Sequence, residues 1–209
     1  MIDVATLAAA DHHLETRDPR LAKLIAAHGP CTLGSRERSP FHVLCTSIIN
    51  QQLSLKAADT IQARVMQHVG AAAEFTPASL AHADPEALRA AGLSRSKARW
   101  LTDIAGRVLE GSFSFEQLAT LDDEAAIETL DALPGIGRWT AEMFLIFALG
   151  RLDIFALDDV GLRRSLDRLY GKPHNDAAAR RCTAKWAPYR SVASWYLWRM
   201  VDADEGDWG

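Results

Sequence analysis

Three cysteines in 209 residues are too few, and Cys31, Cys45 and Cys182 too far apart, for a disulfide framework. They also lack the paired spacing of a zinc or iron–sulfur site, so no metal cluster and reduced thiols are expected. No stretch approaches the run of about 18 apolar residues that a membrane-spanning helix needs. The opening MIDVATLAAADHH has no basic start and only a very short apolar stretch, so a secretion signal is not expected. These absences point to a cytoplasmic protein without a membrane partner. Strand-period segments and internal repeats are missing too. Excess positive charge is also lacking: 23 Lys and Arg stand against 27 Asp and Glu, a net charge of -4.

What is present is an ordinary globular composition, 48% hydrophobic and 24% charged, long enough to bury a sizeable core. The charge is unevenly spread. Residues 131–200 hold 11 Lys and Arg against 7 Asp and Glu, whereas Asp202, Asp204, Glu205 and Asp207 crowd the last nine positions. Such a basic segment permits binding to a polyanion without requiring it.

Nearly every periodic segment predicts a helix. Asp18 caps a short one over 19–28, and Pro40 opens another whose stripe is Phe41, Leu44, Cys45, Ile48 and Ile49. Further helices are expected from Ser54 to Val69, from 85 up to Gly92, from Ser94 to near Gly111, over 115–121 and over 123–132. Within the stretch Arg138–Leu149, residues 141–149 are apolar except for Glu142, which predicts a central helix buried on all sides. Three more are expected at about 159–169, 176–186 and 189–201. The fold class is all-α.

Directly before that apolar helix stands Leu133-Pro134-Gly135-Ile136-Gly137-Arg138-Trp139-Thr140. A turn with alternate glycines lets the backbone approach a partner closely, and the first N–H groups of the following helix then form an anion site. A plain turn between two helices fits the same residues.

The full string LPGIGRWTA resembles the hairpin of the helix-hairpin-helix (HhH-GPD) DNA glycosylases. That family places an aspartate at the start of the next helix, and Asp159 lies 20 residues after Trp139 in DIFALDDVGLRRSL. SIINQQLSLKAA resembles the family's DNA-wedge loop. LRAAGLSRSKARWLTDIA and WAPYRSVASWYLW are similar to segments of the 3-methyladenine DNA glycosylase II (AlkA) type. The resemblance covers roughly residues 20–200.

It implies two helical lobes, about 35–140 and the N-terminal segment with 141–209, flanking a cleft for double-stranded DNA with the hairpin at its edge. It implies one glycosylase domain over 1–209, a compact form without an extra N-terminal β-rich domain, acting as a monomer, nucleoid-associated if bacterial. The reaction implied is hydrolysis of the N-glycosidic bond of alkylated bases such as 3-methyladenine and 7-methylguanine in base excision repair. Relatives acting on mismatched or oxidised bases, and a non-catalytic DNA-binding protein, are the alternatives. Members that also nick the strand carry a lysine where this chain has Trp139, so no lyase step is expected. Their four-cysteine iron–sulfur loop is absent as well.

Residue by residue, the resemblance makes Asp159 the catalytic carboxylate, although an Asp at a helix start is ordinarily a cap; Asp158 is the expected cap or supporting partner. Trp139, Trp198 and Met143 become walls of a base pocket, with core packing the other reading for each Trp. Trp186 and Trp195 are expected in the core. Gln52 and Leu53 become the wedge that fills the hole left by a flipped base, unless Leu53 merely continues the stripe of Ile49. Gly135, Gly137 and Thr140 would hold the DNA backbone. The carbonyls of Asp131, Leu133 and Ile136 match positions that hold a sodium or potassium ion. Arg95, Lys97 and Arg99 fit either phosphate contacts or a solvated helix face.

Overall fold

The computed structural model describes residues 2–34 and 38–204, and the acidic residues Glu205 and Asp207 lie outside them. Among the described residues there is no strand, and no helix is long and apolar enough to cross a membrane. The helices are α1 (Val4–Arg17), α2 (Pro19–His28), α3 (Pro40–Asn50), α4 (Leu55–His68), α5 (Pro77–Ala81), α6 (Pro85–Ala90) and α7 (Arg95–Leu109). They continue as α8 (Phe115–Thr120), α9 (Asp123–Asp131), α10 (Arg138–Phe147), α11 (Val160–Tyr170), α12 (Asp176–Thr183) and α13 (Arg190–Asp204).

The starts of these helices are written in short polar side chains. Asp18, Ser39, Ser54, Asp84, Ser94, Ser114, Asp122 and Asn175 each accept a backbone N–H of the first turn. Each such cap is worth about 1 kcal/mol. Two helices were not expected. In α1 the packed positions are Leu7, Ala10, Asp11 and Leu14, a face too poor in large apolar residues to stand out. In α5 five residues are held by a capping box between Thr76 and Ser79. The helix expected over 176–186 instead ends at Thr183 and tightens into a 3-10 turn over Ala184–Trp186.

One compact unit comprises Met1–Glu37 and Leu145–Gly209. Within it α1 packs on α2, and α13 packs on α1, α2 and α11. Its core holds a buried carboxylate, Asp18, which receives the hydroxyl of Tyr170, Trp186 Nε1 at 2.9 Å and Lys185 Nζ at 3.0 Å. Burial alone would raise its pKa, but these donors outweigh burial and hold it below the ordinary carboxylate value. Trp186 is fully buried, as expected, whereas Trp195 is only half-buried and carries the Arg199 guanidinium 5.0 Å above its ring.

The other unit is Arg38–Phe144. Here α5 and α6 pack on α7, and α3 packs on α4 and α7. Phe41, Phe113, Phe115 and Phe144 form an aromatic cluster at centroid spacings of 5.0 to 6.4 Å.

Helix α10 departs from expectation. Ala141, Phe144, Leu145 and Ile146 are buried, and so is the polar Glu142, with Arg138 Nε 3.2 Å from its carboxylate. Trp139 and Phe147 are 42% and 45% exposed, and Met143 between them is half-buried. The steps of four residues put these three on one stripe of the helix. Helix α10 thus buries a carboxylate beside Phe144, Leu145 and Ile146 while an indole and a phenyl ring stay exposed.

Candidate nucleic-acid interface and active site

The hairpin between α9 and α10 closes through Leu133 N–H to Leu130 O at 2.9 Å and Ile136 N–H to Leu133 O at 3.2 Å. Gly135 has φ +81, and a Cβ there would stand 2.2 Å from Cε3 of Trp100. No other residue fits both demands. Gly137 is different: its φ is not positive, and an added Cβ would meet nothing within 4 Å. The expectation that both glycines serve an unusual backbone conformation therefore holds at Gly135 only. Gly137 instead keeps clear the space before the first N–H groups of α10, where helix geometry leaves donors without intrahelical partners.

The α3–α4 connection is a tight turn in the same unit. Helix α3 stops at Asn50, Gln52 takes φ +57, and Ser54 caps α4. A positive φ outside glycine costs about 1 kcal/mol or more and persists where the surroundings enforce it. Leu53 lies outside the helix and is 37% exposed, so it does not continue the Ile49 stripe. Gln51 turns inward and donates its Nε2 to the Gly135 carbonyl at 2.9 Å. Lys97 does not lie on a fully solvated helix face. Its ammonium binds the carbonyls of Ile49 (2.9 Å) and Gln51 (2.6 Å), and burial lowers its pKa. Arg95 and Arg99 are exposed.

A cavity of about 440 Å³ opens between this turn and α10, lined by Ser47, Asn50, Gln51, Gln52, Trp139, Thr140 and Met143. It joins an indole and a thioether to three carboxamides and two hydroxyls. Thr140, expected at the DNA backbone, is buried and lines this cavity.

In the other unit, Asp159 is the N-cap of α11, which moves the capping role away from the exposed Asp158. The turn Asp159 N–H to Ala156 O (3.1 Å) sets that register. Asp159 is buried at 9% exposure, and its Oδ1 accepts Leu162 N–H at 2.7 Å and Trp198 Nε1–H at 3.4 Å. Trp198 is half-buried and lies 5.5 Å from the Phe147 ring at 31°. A Cβ on Gly161 would come within 3.2 Å of that same Oδ1. Phe147, Gln51 and Trp100 escaped the sequence reading as site residues, and Lys97 was read only as a phosphate contact or a solvated position. Only Phe147 carried a signal, its four-residue step beyond Met143. Among the described residues no His, Cys, Asp or Glu cluster is arranged for a metal ion.

A model of the HhH-GPD superfamily base excision DNA repair proteins matches residues 45–188. The chain belongs to the HhH-GPD superfamily. DNA-3-methyladenine glycosylase 1 of Schizosaccharomyces pombe is 34% identical over 203 residues, covering 94% of this chain and 88% of that protein. The alkylbase DNA glycosidase-like protein mag2 of the same yeast is 32% identical over 197 residues, with 91% and 92% covered. The solved DNA-3-methyladenine glycosidase of Bacillus halodurans shares 38% identity at a TM-score of 0.83, covering 95% of this chain and 91% of that one. Mag1 of S. pombe, solved with abasic DNA, gives 0.79 at 32% identity over 93% and 97%. In this HhH-GPD chain the matched span includes the turn, the hairpin, the stripe of α10 and Asp159. The expected all-α fold and family stand.

Proposed function

We propose that this HhH-GPD chain is a monofunctional DNA glycosylase that removes alkylated bases, 3-methyladenine and 7-methylguanine among them, from double-stranded DNA. The relatives that bear 3-methyladenine glycosylase names over nearly their whole length support the substrate class. The observation that carries the chemistry is Asp159: a buried carboxylate fixed by two N–H donors next to the Trp198–Phe147 aromatic pair.

Hydrolysis of the N-glycosidic bond develops positive charge on the sugar as the base leaves. An ionised carboxylate held beside C1′ stabilises that charge and orients the attacking water. The Leu162 and Trp198 donors stop the carboxylate from swinging. In each unit an electron-rich indole, Trp139 in one and Trp198 in the other, offers a face that attracts a cationic purine. The amide-lined turn of the hairpin holds the backbone through Gly135 and Gly137, and Leu53 with Gln52 enters the stack in place of the flipped base. Trp139 takes the place of the lysine that strand-nicking relatives use, so the strand stays intact. Neutral carbonyls of Asp131, Leu133 and Ile136 suit a sodium or potassium ion; the Leu133 oxygen keeps one lone pair beyond its bond from Ile136.

The test compares wild type with Asp159→Asn on methylated duplex DNA. Asparagine caps a helix as well as aspartate does, so the fold survives while the charge is lost. Expected are release of 3-methyladenine and 7-methylguanine by wild type, near-complete loss in the variant with DNA binding retained, and no nicking without alkali. Full activity of Asp159→Asn refutes the assignment. The three carboxamides around Trp139 favour a second reading, in which neutral damaged bases with a hydrogen-bonding edge are also taken, and hypoxanthine-containing DNA checks it.

A further inference from the structure

The turn after α3 and the hairpin before α10 are 84 residues apart in sequence, yet a short chain of polar contacts joins them. It starts at Lys97 on α7. Its Nζ takes the carbonyls of Ile49 and Gln51, where the end of α3 presents acceptors without intrahelical partners and negative dipole character. The side chain of the same Gln51 then donates to the Gly135 carbonyl. Three residues along α7 from Lys97, the Trp100 ring occupies the space where a Gly135 Cβ would be. Helix α7 thus holds the turn with one residue and the hairpin with another, and Gln51 closes the loop between them. Gln52, in its strained φ of +57, follows directly after the carbonyl that Lys97 holds.

We propose that Lys97 is a positioning residue that locks the Gln52–Leu53 turn to the hairpin, so that the phosphate grip and the wedge move as one rigid piece. The proposal rests on the reading above, that these two segments touch DNA, and adds how they are kept in register. An ammonium suits the task because it serves two carbonyls at once and has no acceptor lone pair of its own. A grip on the backbone then delivers Leu53 to the stack at a fixed height. A wedge free to slide would open the helix less often, while the chemistry at Asp159 would be untouched.

The experiment uses the full chain, wild type and Lys97→Met, on two duplexes carrying 7-methylguanine, one opposite cytosine and one opposite an abasic analogue. Opposite the abasic analogue the base has no pairing partner and leaves the stack at lower cost. On the paired duplex kcat is expected to fall about ten- to a hundredfold in the variant, the scale of a small misplacement of a positioned group. Affinity for undamaged duplex should change less than about twofold, and the loss opposite the abasic analogue should stay below about threefold, since the phosphate contacts and Asp159 are intact. Lys97→Arg, which can still serve both carbonyls, should restore part of the rate. Equal loss on both duplexes, or loss in proportion to DNA affinity, overturns the proposal. Were wild type to release no base at all, the glycosylase reading would fall. The lock is then read by amide exchange, where Lys97→Met must raise exchange at residues 135–137 as well as at 51–54; unchanged exchange at the hairpin overturns it.

Discussion

Trp198 points its indole N–H at Oδ1 of Asp159, 3.4 Å away, the same oxygen that takes the backbone N–H of Leu162 at 2.7 Å. One donor belongs to the helix that Asp159 caps, the other to α13, 39 residues on. Trp198→Phe keeps a ring beside Phe147 and removes only the longer bond. Excision of 7-methylguanine is expected to fall about tenfold, the value of one hydrogen bond to a charged group, with the melting temperature nearly unchanged. Single-turnover rates beside a thermal melt check this; an unaltered rate would show that the Trp198 bond is not needed.

Gly135 and Gly137 should separate cleanly. Gly135→Ala drives a Cβ into Trp100 and keeps a positive φ, so a loss of about 2–4 kcal/mol is expected in chemical denaturation. Gly137→Ala has room within the protein and should fold with wild-type stability while binding every duplex more weakly, whatever its sequence. A normal affinity for Gly137→Ala would remove the hairpin from the DNA backbone.

Leu53→Ala touches an exposed side chain outside the helices, so stability should stay within about 0.5 kcal/mol. Excision from paired duplex should drop, and excision from single-stranded DNA should drop less, because no stack has to be filled there. Comparing the two substrates at saturating enzyme decides it.

Met143→Phe places a second aromatic face one turn from Trp139 on the exposed stripe. A cationic base should gain a few-fold in apparent affinity, from about 0.5–1 kcal/mol of cation–π attraction, and a neutral one such as hypoxanthine should not. Competition between 7-methylguanine and hypoxanthine duplexes measures the shift.

Asp18 links stability to acid. Its folded-state pKa lies below the ordinary value of 3.8, so its contribution is present above that value and fades as pH falls through the lower, folded one. Unfolding free energy should therefore decline below about pH 4, and Asp18→Asn should be less stable at neutral pH with a flatter decline. Urea titrations at neutral and acid pH test both halves.

Most helix starts were legible because Ser, Thr, Asp or Asn ahead of an apolar rhythm is a local signal, read from four residues. Helix α1 was not, since Leu7, Ala10 and Leu14 form a face only when a partner covers Ala10. Capping by Asp159 rather than Asp158 was equally hidden, because adjacent aspartates fit a helix start alike until the turn to Ala156 fixes the register. The exposure of Trp139 and Phe147 on α10 could not be read either: periodicity reports which residues are apolar, whereas exposure depends on what the rest of the chain leaves uncovered. Lys97 meets Gln51, and Trp100 meets Gly135, across tens of residues, a relation that no local signal carries.

The wet stripe of Trp139, Met143 and Phe147 has a thermodynamic corollary. Water in contact with those side chains is released whenever a flat apolar body lies against them, so occupancy, not folding alone, completes the burial of α10. Any ligand that covers those rings raises the melting point by an amount set by its affinity for the folded chain.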